Sequence, residues 1–90
     1  MDIKAKLRPF YVAQMLYERT DEEHYLTIAQ MMEILEKEFG IATSRGTVSD
    51  DIKALQEFGL EIEVEPSTQN RYYLIGRKFD LPELKALIDA

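Results

Sequence analysis

Between Ser44 and Lys53 the chain reads Ser-Arg-Gly-Thr-Val-Ser-Asp-Asp-Ile-Lys. It gathers three hydroxyls, a guanidinium and an ammonium around one bare glycine. These groups form hydrogen bonds and neutralise anions; they do not break covalent bonds. Hydroxyls and guanidinium groups donate to phosphate oxygens and to the polar edges of bases, and an ammonium meets phosphate as a point charge. Ser44, Arg45, Gly46, Thr47, Ser49 and Lys53 are therefore candidate contact residues, with Arg71 as a further cation downstream. Catalytic chemistry has no comparable cluster. No nucleophile stands beside a base, no glycine-rich phosphate loop occurs, and there are no cysteines. The single histidine, His24, sits in an acidic loop beside Glu22 and Glu23. Asp50 and Asp51 are adjacent, so on a helix they point about 100° apart and cannot share a metal ion. The chain reads as a binding module, not an enzyme, with no cofactor and no metal.

The elements that would position these residues follow from hydrophobic spacing. Ser44 is placed to cap a third helix whose inward stripe is Val48, Ile52, Leu55 and Phe58, with Gly59 as its stop. The exposed side of that helix then carries Arg45, Gly46, Thr47, Ser49, Asp50 and Lys53. Glu61–Glu65 alternates carboxylate and aliphatic, Pro66–Asn70 is a polar turn, and Arg71–Ile75 is a returning strand that Phe79 extends. Upstream, Thr27 and Gln30 have capping-box spacing. They open a second helix with Ile28, Met31, Met32, Leu35 and Phe39 on one face and Gly40 as its stop. Ile41-Ala42-Thr43 is a turn short enough to force a steep crossing of the two helices. A first helix is expected to open at Pro9, show Phe10, Ala13, Leu16 and Tyr17, and end near Thr20. Asp21–His24 is a polar loop, and Tyr25-Leu26 a brief strand for the later ribbon. Asp80 with Glu83, and Pro82 in the first turn, launch a last helix through Leu84, Leu87 and Ile88.

Charge shapes what such a surface can do. The 90 residues carry 11 basic and 17 acidic side chains, a net charge of −6. The distribution is uneven. Residues 1–17 are net +2, residues 18–38 hold seven acids against Arg19 and Lys37, and residues 66–78 carry Arg71, Arg77 and Lys78 with no acid. A molecule polarised in this way can present a positive face to an anion while remaining acidic overall. No apolar run approaches the roughly 18 residues of a membrane span, and the N-terminus lacks the features of a signal peptide. A cytoplasmic setting, with no membrane partner, fits both.

Three helices followed by a two-stranded ribbon make an α+β fold, a winged helix-turn-helix with a three-helix core, a two-stranded β wing and a C-terminal linker helix. Residues 1–79 are expected to form that domain. Residues 80–90 would begin a linker or dimerisation helix leading to a C-terminal domain, since the chain stops at Ala90 without a cap.

Four stretches, MLYERTDEEHYLT, MMEILEKEFGI, SRGTVSDDIKALQEFG and RKFDLPELKALIDA, resemble the N-terminal DNA-binding region of bacterial WYL-domain transcriptional regulators, a DeoR-like group. The resemblance implies a reader of double-stranded DNA, with effector sensing confined to a C-terminal domain. The arginine–threonine pair of that family is here interrupted as Arg45-Gly46-Thr47, and an arginine before the central aspartate is replaced by Asp50. A carboxylate there repels phosphate and accepts only from a cytosine amino group.

Two functions are in contention. One is sequence-specific DNA binding as the reader domain of a bacterial transcription regulator. The other is a winged helix that binds proteins through its acidic faces and never touches DNA. The first expects Arg45, Lys53 and the wing cations on one side, with Glu33, Glu36 and Glu38 turned elsewhere. Cations near the wing also serve simply to block edge pairing. One core is expected to unite Phe10, Leu16, Ile28, Leu35, Phe39, Val48, Ile52, Leu55 and Phe58. Leu84, Leu87 and Ile88 should either pack on the first helix or pair with a second copy, and a homodimer is the reading adopted.

Overall fold

The computed structural model describes residues 3–76, and side chains from 5 to 75. Asp80 and the Leu84, Leu87 and Ile88 stripe lie outside the described residues, as do Arg77, Lys78 and Phe79.

The first helix, α1, runs Ile3–Arg19, so Pro9 lies inside it and does not open it. Ile3–Arg8 is a run of Ile, Lys, Ala and Leu/Arg residues that tolerate helix well, and it extends the helix upstream of the proline. Pro9 costs the bond its missing N–H would give the Ala5 carbonyl. The inward face also differs from expectation by one position. Val12, Ala13, Met15 and Leu16 are buried and Tyr11 packs beside them, whereas Phe10 is only half-buried. Tyr11 stacks on Phe39 with ring centroids 4.3 Å apart, which fixes the rotation of α1 against the second helix.

A two-residue strand, β1 (Leu26–Thr27), leads directly into α2 (Ile28–Phe39). Thr27 caps α2 through its hydroxyl, which accepts from the Gln30 N–H, while the Gln30 side chain accepts from the Thr27 N–H. Gly40 ends the helix at φ 68, a left-handed conformation that costs other residues energy. The α3 helix follows as Arg45–Phe58, capped by Ser44 and ended by Gly59 at φ 127. The chain then forms β2 (Glu61–Glu65) and β3 (Arg71–Gly76).

The strands make a small antiparallel sheet in the order β1-β3-β2. The register pairs Leu26 with Tyr72, Ile62 with Leu74, and Val64 with Tyr72. Alternation therefore turns Leu26, Ile62, Tyr72 and Leu74 toward the helices, and Glu63, Glu65, Arg71 and Tyr73 away from them. Thr20, at the end of α1, locks this sheet to the helices. Its hydroxyl donates to the Leu16 carbonyl at 2.6 Å and accepts from the Leu74 N–H at 3.0 Å.

The core joins the two layers. Leu16, Met31, Leu35, Val12 and Val48 are fully buried, with Ile52, Leu55, Leu60, Ile62 and Leu74 around them. Ile28 and Phe39 pack at its margin. Phe58, expected in the core, is 63% exposed, and Leu60 beyond the helix is buried with Leu55 instead. The result is the α+β winged-helix architecture. Among the described residues, no helix is long and apolar enough to cross a membrane.

Candidate nucleic-acid interface

The orientation of α3 is set from its buried side. Val48, Asp51, Ile52 and Leu55 face inward, leaving Arg45, Gly46, Asp50 and Lys53 exposed and Thr47 and Ser49 half-buried. Arg45, Ser49 and Lys53 recur at i, i+4 and i+8, a slowly turning stripe along one side of the helix. Asp50 lies next to it.

Asp51 has a structural task. Arg8 of α1 meets it through two hydrogen bonds, Nε to Oδ2 at 2.6 Å and Nη2 to Oδ1 at 3.2 Å. The hydrogen bond to Asp51 raises the Arg8 guanidinium above its ordinary value, outweighing the burial that lowers it. Arg8, counted in the basic N-terminal segment by sequence, is thus committed to joining α1 and α3.

At the start of α3 the hydroxyls are also committed. The Ser44 Oγ accepts from the Thr47 N–H at 3.2 Å and lies 2.8 Å from the Thr47 hydroxyl. This pair satisfies the first turn of the helix, and it presents Arg45 and Gly46 to solvent as the groups with no internal duty.

A cleft of about 260 Å³ opens beside Arg45. Thr27 and Ile28 at the head of α2 form one wall, and Thr68, Gln69, Asn70 and Tyr72 of the wing form the other. Among the described residues, no carboxylate lines it. Sequence spacing did not place Thr27, Thr68, Gln69, Asn70 or Tyr72 here. The signal was the polar turn Ser67–Asn70, which a sequence reading treats only as a connector. A separate depression of about 300 Å³ is lined by Leu26, Gln30, Glu33, Ile34, Lys37 and Glu38.

Arg71 stands on the other face of the sheet from Tyr72. Its guanidinium lies 4.9 Å from the Tyr25 ring centre and 4.0 Å from Glu65. Tyr25 also contacts Tyr73, with ring centres 5.0 Å apart. Partial desolvation raises the Tyr73 hydroxyl above its ordinary range, and the charge of Glu63 adds to the effect. The sequence expectation put Arg71 beside Arg45. Arg71 is not among the residues that line the Arg45 cleft and lies instead against Tyr25 and Glu65.

The other cations of the described residues divide sharply. Arg19 pairs with Glu38 and Lys37 with Glu33, each at 2.6–2.7 Å. Lys6, Arg45 and Lys53 have no acidic partner among the described residues. Two of these three belong to the exposed side of α3.

Residues 7–67 match the family described as FokI, D3 domain. The chain belongs to the FokI D3 domain family. The D3 match runs from α1 through β2 into the wing turn, so it covers α2 and α3, whose starts form the cleft's helical side, and ends before Thr68. It is the D3 family, and not the WYL-regulator group suggested by sequence resemblance, that is matched. Comparison with curated proteins and with solved structures gave no match.

Proposed function

We propose that this D3-family domain binds double-stranded DNA, with α3 as the helix that enters the major groove. The observation that carries the reading is the pairing of charges. Among the described residues, Arg8, Arg19, Lys37 and Arg71 each lie within 4.0 Å of a carboxylate, whereas Arg45 and Lys53, along one exposed stripe, have no acidic partner. A chain of net charge −6 that leaves its recognition side supplied with unpaired cations has the local field phosphate requires. The helix lies on a shallow wing cleft, and Ser49 is available for base edges. The domain acts by binding alone, without a catalytic step or cofactor. Its finer role, the reader of a cytoplasmic bacterial transcription regulator working as a homodimer with an effector domain beyond Ala90, is supported by the four-stretch resemblance to WYL-domain regulators.

A second reading has its own observation. The outward face of the sheet gathers Tyr25, Tyr73, Glu63 and Glu65 around an already paired Arg71. This acidic, aromatic surface suits a basic protein segment better than DNA.

Backbone amide shifts on titration with a mixed-sequence duplex separate the two. DNA binding moves the Arg45–Lys53 and Thr68–Asn70 resonances. Absence of shifts there, with a basic peptide moving Tyr73 and Glu63, would replace the first reading by the second.

A further inference from the structure

We infer that the cleft between the start of α3 and the wing turn holds a backbone phosphodiester of the bound strand, gripped by Arg45, so that base reading falls to Ser49 and Lys53. The inference rests on the DNA-binding reading above and assigns the roles within that site.

The cleft is lined by one cation and by neutral polar groups. Arg45 faces Thr68, Gln69 and Asn70 across about 260 Å³, with Thr27, Ile28 and Tyr72 as the floor and sides. Among the described residues, no acidic side chain lines this space. A phosphodiester oxygen only accepts hydrogen bonds, so it asks for donors and for the absence of carboxylates. Asn70 satisfies that request: its carbonyl oxygen accepts from the Ser67 N–H at 3.5 Å, which leaves its amide nitrogen as the outward donor.

Gly46 supplies an independent observation. Its backbone is not in the left-handed region, and a Cβ built on it would meet nothing within 4 Å. Among the described residues, neither a backbone dihedral nor a close neighbour requires glycine there. A bare backbone immediately after Arg45 lets an incoming chain approach to van der Waals contact.

The test is fluorescence anisotropy with a panel of duplexes of different sequence, over a salt series, for the parent chain, Arg45→Ala, Asn70→Ala and Gly46→Ala. All three positions are exposed, and melting curves check that each variant stays folded. Arg45→Ala is expected to weaken binding about tenfold, nearly equally for every duplex, and to reduce the salt slope by about one. Gly46→Ala is expected to melt no lower than the parent yet bind more weakly. Replacing single phosphates by neutral methylphosphonates should reveal one position that matters to the parent and not to Arg45→Ala. Arg45→Ala changing the order of preferred duplexes at an unchanged salt slope would overturn the assignment, because Arg45 would then be reading bases. Unchanged affinity in both Arg45→Ala and Asn70→Ala would also overturn it while leaving DNA binding intact. A parent chain with no salt-dependent duplex binding removes the underlying reading itself, and the assignment with it.

Discussion

Arg8 and Asp51, 43 residues apart in sequence, close a two-point ion pair between α1 and α3. The Asp51 side chain is only 8% exposed and that of Arg8 20%. Through this pair the helix carrying the candidate contacts is held to the helix that begins the chain. Removing one partner strands a charge in a low-dielectric setting, so Asp51→Ala is expected to cost roughly 2–4 kcal/mol, somewhat below a fully buried pair. Replacing both, as Arg8→Met with Asp51→Leu, should recover most of that loss. Urea denaturation of the three variants measures it. Equal stability of Asp51→Ala and the parent would show that the pair does not hold the helices.

The same pair marks what sequence could and could not reveal. The local signals were legible: the Thr27–Gln30 capping box, the Ser44 cap, and the Gly40 and Gly59 stops all occur where the residue types put them. The wing strands were legible from alternation. What was not legible depends on partners distant in sequence. Arg8 looked like free basic charge because nothing local announces Asp51. The approach of Arg71 to Tyr25 and Glu65 was not legible because a cation's neighbours in sequence do not say which sheet face the register gives it. Pro9 looked like a helix start because local rules favour it there, yet the residues before it continue the helix. The cleft was invisible for a related reason: its walls come from three separate segments.

The core distinguishes residues that hydrophobic spacing treats alike. Leu35 is fully buried and Phe58 is 63% exposed. Leu35→Ala should therefore cost about 2–5 kcal/mol, whereas Phe58→Ala should cost less than about 1 kcal/mol. Chemical denaturation midpoints at a common slope make the comparison. A larger loss for Phe58→Ala would mean that the end of α3 is covered in solution.

Thr20 is a polar group the core cannot spare. Thr20→Val keeps the shape but deprives the Leu74 N–H of its acceptor. A buried unsatisfied donor costs about 1–3 kcal/mol, so a loss of that order is expected in thermal or urea unfolding. Faster amide exchange at Leu74 in the variant would identify the cause.

His24 and Asp21 give a pH dependence with a defined sign. The His24 ring nitrogen lies 2.8 Å from an Asp21 carboxylate oxygen. Hydrogen bonding to Asp21 raises the histidine above its ordinary 6.5, and the same bond, aided by the Glu23 N–H, lowers the aspartate below its ordinary 3.8. The histidine's contribution to stability is complete below its unfolded value and is lost as pH rises through its raised folded value. The aspartate's contribution is present above its unfolded value and is lost as pH falls through its depressed folded one. The loop is therefore best held between those limits, and the effect is small because both groups are exposed to screening solvent. The His24 ring proton shift in the parent should titrate above 6.5 and return toward that value in Asp21→Asn. An unshifted midpoint in the parent would show that the pair is not formed.

The salt dependence of duplex binding tests the central claim most directly. Phosphate contacts release counterions, so the logarithm of the affinity of this acidic chain for mixed-sequence duplex should fall linearly with the logarithm of salt concentration, with a slope near −0.9 for each phosphate engaged. The phosphate contact assigned to Arg45 contributes about −1 to that slope, and Arg45→Ala should flatten it by that amount. Binding that is absent at low salt, or that persists with no salt dependence, would contradict the account.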